Sequence, residues 1–281
     1  MKPRFTLFLL MKTRIITINL AGTKDDWFGK RRDLMVRSLA AYKPDIVCVQ
    51  ETTLTRGYVV YDQARDIGEA IGLPVTAFAP YGNSIEIMSS EQGGVAILSR
   101  WPMIRVRNRR LPAAHENPPD ARVALFATFQ TPGGELKVVT THLSWEPDST
   151  QMRMMQMGLI LDDLFQSQPV EPYTKLVLTG DLNAVETEPV VTLINECLRD
   201  SFRHHNPDDK GYTWATRNPL TGRFPIADRR LDYIFCPTGA EISKAELILN
   251  DEKIGFASDH FGVLADIKWP ETKKEAKQAA A

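Results

Sequence analysis

The chain of 281 residues is long enough for one large α/β domain or for two domains of average size. Hydrophobic residues make up 43% of it, and 34 basic against 35 acidic side chains exclude a global electrostatic attraction to nucleic acids or anionic membranes. Cys48, Cys197 and Cys236 lie in apolar contexts without zinc-site spacing, which predicts buried thiols and a cytoplasmic location.

The two ends of the sequence differ from the rest. Residues 1–10 join two basic residues to an apolar run that is too short for a signal peptide or a bilayer span, so we expect an N-terminal extension. Residues 271–281 are rich in Lys, Glu and Ala and predict a flexible tail. No linker divides residues 11–270, which we expect to form a single, monomeric domain without membrane insertion.

Strand-like and helix-like patterns alternate through most of the chain. The predicted strands are residues 14–20, 45–50, 94–99, 122–129, 136–142, 175–179, 230–235, 245–249 and 262–267. The predicted helices are residues 30–42, 62–71 and 149–165, and a short one carrying Val191, Ile194 and Leu198. Because hairpin-like strands are mixed with βα units, the pattern predicts an α/β fold with mixed sheets. The irregular stretch 203–227 is a candidate for substrate contacts.

The sequence GDLN at residues 180–183 follows the apolar strand 175–179. That strand delivers Asp181 and Asn183 to its carboxyl end, where open α/β sheets usually site their chemistry. A carboxylate and a carboxamide two residues apart can serve as base or metal ligand and as donor, or they can form an ordinary Asx turn.

Polar side chains mark five further places where a strand begins or ends. Singly, each has an ordinary explanation as a turn residue, a helix cap, a core histidine or an ion-pair partner of a neighbouring arginine. Together with GDLN, they favour a common site at one edge of the sheets. The five places are Asn19, Glu51, His142, Asp232 and the Ser258–Asp259–His260 turn.

These motifs, taken in order, resemble the endonuclease/exonuclease/phosphatase superfamily of metal-dependent phosphoesterases. The motifs are TINLAG, PDIVCVQE, GGVAILSRWPM, TTHL, GDLNA, RRLDYIF and SDHFGV, and the match runs from about residue 13 to residue 268. The resemblance implies the deoxyribonuclease I-like fold, a four-layer α/β sandwich of two mixed sheets flanked by helices. It also implies a divalent cation, Mg²⁺ or Mn²⁺.

By position, the resemblance implies a metal side and a phosphate side of the site. Glu51 resembles the principal metal ligand, Asn19 a partner near the metal and the phosphate, and Asp259 a further metal-side carboxylate. Asp181 and Asn183 resemble the pair that positions the attacking water and binds a phosphate oxygen.

The resemblance also implies roles for two histidines. His260 resembles the histidine of the closing SDH motif, with Asp232 as its orienting carboxylate, and either Asp181 or His260 can be the general base. His142 matches a branch of the family with a histidine near the leaving group, where a cationic imidazole would offset developing charge.

The resemblance leaves the substrate open, because the loops attached to a fold, and not the fold itself, determine which substrate is bound. The neutral charge disfavours a long polyanion and favours a small organic or nucleotide-like phosphodiester. The alternatives are a repair-type DNA or RNA nuclease, a sphingomyelinase-like lipid phosphodiesterase or phosphatase, and an inactive binding protein. The presence of Glu51, Asp181 and His260 argues against the inactive protein.

Two groups of residues have two interpretations each. The first group is interpreted either as part of a solvated edge strand or as a basic contact surface. Its members are Arg105, Arg107, Arg109 and Arg110. The second group either packs in the core or stacks on a base or an organic leaving group. Its members are Trp27, Trp101, Trp145 and Trp214. Of these, Trp214 is the predicted substrate-binding residue.

Overall fold

The computed structural model describes residues 11–24, 26–56, 60–82, 91–113, 121–165, 174–222 and 227–270. The predicted extension 1–10 and tail 271–281 lie outside the described residues. In chain order the elements are β1 (Lys12–Asn19), α1 (Arg32–Tyr42), β2 (Ile46–Thr55), β3 (Tyr61–Asp62), α2 (Gln63–Ala70), β4 (Val75–Pro80), β5 (Glu91–Ser99), β6 (Met103–Leu111), β7 (Arg122–Thr131), β8 (Gly134–His142), α3 (Thr150–Phe165), β9 (Leu176–Asp181), α4 (Pro189–Asn195), β10 (Arg199–Asp200), α5 (Ser201–His205), β11 (Asp232–Cys236), β12 (Glu241–Ile248) and β13 (Gly262–Lys268).

The described strands form two mixed sheets. Sheet A has the order β12-β13-β1-β2-β5-β4, with β3 paired to β2, and sheet B has the order β10-β11-β9-β8-β7-β6. The pairs β1/β2 and β8/β9 are parallel and the other named pairs are antiparallel. The expectation of mixed sheets is therefore confirmed.

Three apolar clusters hold four layers together. The central one lies between the two sheets, and alternation along β1 places Ile15 in it while Ile16 packs towards the helices. Met35 of α1 and Ile67 of α2 cover the outer face of sheet A. Met157 of α3 lies in the third cluster, with α4, on the outer face of sheet B. The helix–sheet–sheet–helix arrangement is the predicted four-layer sandwich.

Some elements depart from their predicted bounds. The sequence pattern missed β4, β6 and the two-residue strands β3 and β10. It started the first helix too early because a π-helical turn, Trp27–Arg31, precedes α1. Helix α5 occupies the start of the stretch predicted to be irregular. None of the described helices is both long and apolar enough to cross a membrane.

The arginine-rich strand β6 lies at the edge of sheet B. Arg107 pairs with Asp163 at 2.7 Å and its guanidinium lies 3.8 Å from the ring centroid of Phe126, and Arg105 pairs with Glu135. The position at the sheet edge is as expected, and the use of these arginines as a basic contact surface stays a prediction.

The three cysteines are unbridged. Cys48 and Cys236 are buried, as predicted, and burial raises the pKa of each thiol to about 12. Cys197 is only half-buried, against the expectation, because it lies just beyond the end of α4.

Candidate active site

The site lies where strand ends of the two sheets meet. In sheet A, β1 ends at Asn19; in sheet B, the parallel strands β8 and β9 end side by side at His142 and Asp181. The antiparallel strand β11 begins at Asp232, which is the register partner of Asp181. Strand pairing alone thus places Asp181 between His142 and Asp232.

Asp181 is almost fully buried and four residues surround its carboxylate. Its Oδ2 accepts a hydrogen bond from Nδ2 of Asn19 at 3.0 Å and lies 3.5 Å from Nε2 of His142 and 3.7 Å from Nε2 of His260. Its Oδ1 accepts from the backbone N–H of Asn183 at 2.9 Å. The structure therefore brings these predicted residues together around one carboxylate.

His260 is held between two carboxylates. Its Nδ1 lies 2.8 Å from Oδ2 of Asp232, and its Nε2 faces Asp181. Burial disfavours a charged imidazole, but Asp232 and Asp181 outweigh burial and raise the pKa of His260 well above its usual value. Burial and the nearby Asp232 raise the pKa of Asp181 to about 7. The imidazole is therefore the cation of this cluster.

Thr213, a buried residue that the sequence analysis did not single out, fixes the backbone around this pair. Its Oγ1 accepts from the N–H groups of Asp232 at 3.2 Å and Leu231 at 3.0 Å, and its carbonyl accepts from Phe261 at 2.6 Å. Thr213 belongs to the irregular stretch 203–227, so part of that stretch fixes the backbone of Asp232 and Phe261 beside the site.

Glu51 reaches the site through a distortion of β2. The pairing of β2 with β5 changes register between Val49 and Thr52, and Glu51 has a left-handed backbone with φ of 50°. A bulge of this kind re-aims a side chain, and a left-handed glutamate costs about 1–3 kcal/mol. As a result, Oε1 of Glu51 accepts from Nδ2 of Asn19 at 3.1 Å.

His142 is hydrogen-bonded at both ring nitrogens. Nδ1 lies 2.9 Å from the hydroxyl of Tyr81 and Nε2 lies 2.8 Å from Nδ2 of Asn183. Because an amide nitrogen only donates, Nε2 accepts and the ring proton sits on Nδ1. Burial, Arg122 and His260 lower the pKa of His142 well below its usual value. The expectation of a cationic His142 is therefore wrong: the imidazole is neutral.

The GDLN turn makes strict demands on its backbone. Gly180 has φ of 148°, and a Cβ there would lie 2.1 Å from the carbonyl oxygen of Thr141 on the neighbouring strand. Asn183 has φ of 49°, a left-handed conformation that asparagine tolerates better than most residues. The close approach of β9 to β8 is what carries Asp181 up to His142.

A pocket of about 540 Å³ opens over these residues. The predicted residues that line it are Glu51, His142, Asp181, Asn183 and His260. Tyr81, Arg122 and Trp145 line it as well. The buried guanidinium of Arg122 lies 5.4 Å from the ring centroid of Tyr81. The sequence signal for Arg122 is a lone cation at the start of the apolar strand RVALFATF; Tyr81 has no comparable signal.

Four predicted residues, Asn19, Asp232, Asp259 and Trp214, lie outside the pocket lining. Asn19 and Asp232 contact the lining residues Asp181 and His260, as described above. Asp259 is half-buried, and its Oδ1 lies 3.2 Å from the hydroxyl of Ser258, which donates to the carbonyl of Asn19 at 2.6 Å. Trp214 forms backbone bridges with Arg229 and His260, and the Arg229 guanidinium lies 5.5 Å from its ring centroid. Substrate binding by Trp214 stays a prediction.

Comparison with known proteins agrees with the motif order. The model of the Endonuclease/Exonuclease/phosphatase family matches residues 16–260. The chain belongs to this family. Among its curated relatives, Nocturnin of Rattus norvegicus is 24% identical over 267 residues, which cover 88% of this chain and 60% of that protein. Tyrosyl-DNA phosphodiesterase 2 of Xenopus tropicalis is 24% identical over 261 residues, 89% of this chain and 65% of that protein. The chain thus spans less than two thirds of the length of these relatives.

Solved structures of the endonuclease/exonuclease/phosphatase family share the fold. A family member from Beutenbergia cavernae superimposes with a TM-score of 0.71 and 25% identity over 92% of this chain and 72% of that chain. The human Nocturnin catalytic domain, solved with a bound sulfate, gives a TM-score of 0.68 and 20% identity over 92% of this chain and 94% of that chain. The deoxyribonuclease I-like sandwich is therefore shown by structure as well as by sequence.

The family is metal-dependent, and the residues of this site fit a divalent cation. Ligand atoms of Asp181, Asp232 and His260 lie within 4.8 Å of one another, which forms a cluster that could hold a metal. The Oδ1 atom of Asp232 is buried without a hydrogen-bond partner. Together with Glu51, these carboxylates concentrate negative charge, and their oxygens are the ligands that hard cations prefer.

Proposed function

We propose that this protein hydrolyses a phosphodiester with an activated water and a divalent cation, Mg²⁺ or Mn²⁺. The observation that carries the proposal is the convergence on Oδ2 of Asp181, which lies 3.0 Å from Asn19, 3.5 Å from His142 and 3.7 Å from His260. Phosphoester hydrolysis needs a proton acceptor for water and donors for the phosphate oxygens in one small space.

In this proposal Asp181 is the general base and His260 is a donor. The imidazolium of His260, held by Asp232, hydrogen-bonds a phosphate oxygen. A carboxylate with a pKa of about 7 can take a proton from water near neutral pH. Arg122 binds a further phosphate oxygen, because its side chain lines the pocket. Asn183 would bind one by releasing an Nδ2 hydrogen bond to His142 or to the carbonyl of Leu143.

Glu51, with Asn19 and Asp259, would hold the cation beside the carboxylates of Asp181 and Asp232. His260 is not one of its ligands in this proposal, because an imidazolium has no free lone pair. The cation, when bound, neutralises charge on the phosphate oxygens and acidifies the attacking water. Mg²⁺ is favoured because carboxylate and amide oxygens dominate this donor set.

A nucleotide-like substrate receives support from the curated relatives. They include a tyrosyl-DNA phosphodiesterase and a CCR4-Not complex 3'-5'-exoribonuclease subunit. The near-neutral charge of the chain favours a short substrate over a long duplex. A lipid phosphodiesterase or a phosphatase is compatible with the same site and becomes an outcome of the test.

The test is a substrate panel with and without metal. Purified protein is assayed on bis-p-nitrophenyl phosphate, a short single-stranded oligonucleotide, an abasic-site duplex, sphingomyelin and inositol phosphates, in Mg²⁺, Mn²⁺ or chelator. We expect metal-dependent hydrolysis of the first two that Asp181→Asn abolishes. No hydrolysis of any substrate with either metal would refute the proposal and leave the binding-protein alternative.

We also propose a cytoplasmic monomer. The unbridged thiols of Cys48, Cys197 and Cys236 support a reducing compartment. Light scattering of the purified chain tests the monomer, and a dimer mass would contradict it.

A further inference from the structure

Trp145 presents an exposed indole at the rim of the active-site pocket. It is 58% exposed and lines the same pocket as His142 and Asp181, whereas Trp27 is 1% exposed and belongs to the core. Of the large apolar side chains that are exposed in the described part of the chain, Trp145 is the one that lines this pocket. Core packing therefore does not explain it.

The backbone on both sides of Trp145 is fixed by buried side chains of α3. Arg153 donates from Nη1 to the carbonyls of Ser144 at 3.1 Å and Glu146 at 2.9 Å. Gln156 accepts from the N–H of Ser144 at 3.0 Å and donates to its hydroxyl at 2.8 Å. Arg153 and Gln156 are almost fully buried. The exposed indole therefore stands on a rigid turn.

Arg153 is itself anchored. Its Nε and Nη2 atoms pair with Oε2 of Glu188 at 3.2 Å and 2.8 Å, just before α4.

A rigid aromatic ring loses little conformational entropy when it binds a flat partner. Stacking of one base on such a ring contributes about 1–3 kcal/mol.

The charges around the pocket set the size of the substrate. Among the described lining residues the cationic ones are Lys24, Arg122 and the imidazolium of His260, and the acidic ones are Glu51, Glu91 and Asp181. That balance suits one or two phosphates and not a long polyanion. A lipid tail would need a continuous apolar surface, and a single indole does not supply one.

We propose that Trp145 is a stacking platform for a nucleobase, and that the substrate is a short nucleotide phosphodiester such as a dinucleotide or the end of a single strand. This inference rests on the proposed function. It assigns substrate selectivity to a residue that takes no part in the chemistry.

The test compares dinucleotides that differ only in their bases. The substrates are thymidylyl-thymidine and two analogues in which the 5′ or the 3′ base is replaced by hydrogen. We expect Trp145→Ala to lower kcat/KM for the full dinucleotide by about 5- to 150-fold. The same change should leave one of the two analogues unaffected, which identifies the stacked base. Trp145→Phe should retain most of the activity.

A second readout does not depend on turnover. With Mg²⁺ present, thymidine 5′-monophosphate, a product of the proposed hydrolysis, should quench tryptophan fluorescence in the wild type and much less in Trp145→Phe, while deoxyribose 5-phosphate should quench neither. Subtracting the variant separates Trp145 from the other four tryptophans of the chain. Phe28→Ala is the matched control, because Phe28 is 67% exposed but lies outside the pocket lining.

The outcomes separate the inference from the proposed function. Equal losses of kcat/KM on all three dinucleotides, or equal quenching in the wild type and Trp145→Phe, would overturn the stacking role even if hydrolysis is robust. Absence of hydrolysis across the whole panel, with base-dependent quenching retained, would refute the phosphodiesterase and leave a nucleotide-binding site at Trp145.

Discussion

The Nδ1 atom of His260 lies 2.8 Å from Oδ2 of Asp232, and both side chains are buried. This contact fixes the ring so that Nε2 faces Asp181, and it stabilises the imidazolium. Asp232→Asn should therefore lower kcat by about two to four orders of magnitude while the circular dichroism spectrum stays unchanged. Asp66→Asn, which removes an ion-paired carboxylate away from the pocket, is the control. Turnover within twofold of the wild type would show that the pair has no catalytic role.

The metal should be held most strongly through Glu51. We expect activity to vanish in chelator and to return with Mg²⁺ or Mn²⁺, because the clustered carboxylates need a cation to bind an anionic phosphate. Glu51→Gln should raise the metal concentration at half-maximal activity more than Asp259→Asn does. Titration calorimetry with the metal alone gives the same ranking without turnover. Full activity after exhaustive chelation would refute the metal-dependent mechanism.

His142 should act through its neighbours and not as a proton donor. A neutral imidazole whose nitrogens both hydrogen-bond, to Tyr81 and Asn183, has no free proton to give. His142→Ala should therefore lower kcat by the same factor for a p-nitrophenyl ester and for an alkyl phosphodiester. A much larger loss with the alkyl ester would restore the leaving-group role that the sequence suggested.

Thr213 should matter for turnover because it positions Asp232. Thr213→Val keeps the shape but removes the acceptor for the N–H groups of Leu231 and Asp232, at a cost of about 1–3 kcal/mol in unfolding free energy. We expect kcat to fall at least tenfold with KM little changed, and Thr213→Ser to restore it. A variant that loses stability but keeps its turnover would reduce Thr213 to a structural role.

The ion pair between Arg32 and Asp66 predicts a pH dependence of stability. The Arg32 guanidinium donates twice to Asp66 at 2.6 Å, and these hydrogen bonds hold the pKa of that carboxyl below its usual value. The stabilisation is therefore complete above the unfolded pKa of about 4 and is lost as pH falls through the lower folded value. Asp66→Asn should cost about 1 kcal/mol at pH 7, and this cost should shrink progressively as pH falls below about 4, by urea titration. A pH-independent difference would contradict this.

The strand ends could be predicted from the sequence because a polar residue follows an apolar run at each of them. Asn19, His142 and Asp181 were found in this way. Parallel pairing explains why His142 and Asp181 meet, and the packing of the two sheets brings Asn19 to Asp181. The bulge at Glu51 was not readable, because β2 is buried on both faces over most of its length and shows no alternation that a bulge could interrupt. Glu51 itself was identified as a polar residue at the end of an apolar run, and its role as a metal ligand was implied only by the resemblance.

The missed residues lacked a local signal. Strand β4 buries Ala77 and Ala79, and alanine is a poor indicator of a strand, so Tyr81 just beyond it went unrecognised. Arg122 resembles any charged residue that opens a strand. Thr213 lies in a stretch without periodicity, where only the tertiary structure identifies a buried side chain.

In sheet A, β13, the last strand of the chain, pairs with β1, the first strand. This pairing sets the order in which the protein can become active. Arg14 on β1 pairs with Asp266 on β13 across a sequence separation of 252 residues, and His260 lies just before that strand. Contacts of such separation form late. During synthesis, sheet B can assemble while β13 is still inside the ribosome, but His260 cannot yet face Asp181. Nascent chains should therefore be inactive until the region of β13 has emerged, and in refolding the recovery of activity should lag behind the recovery of secondary structure.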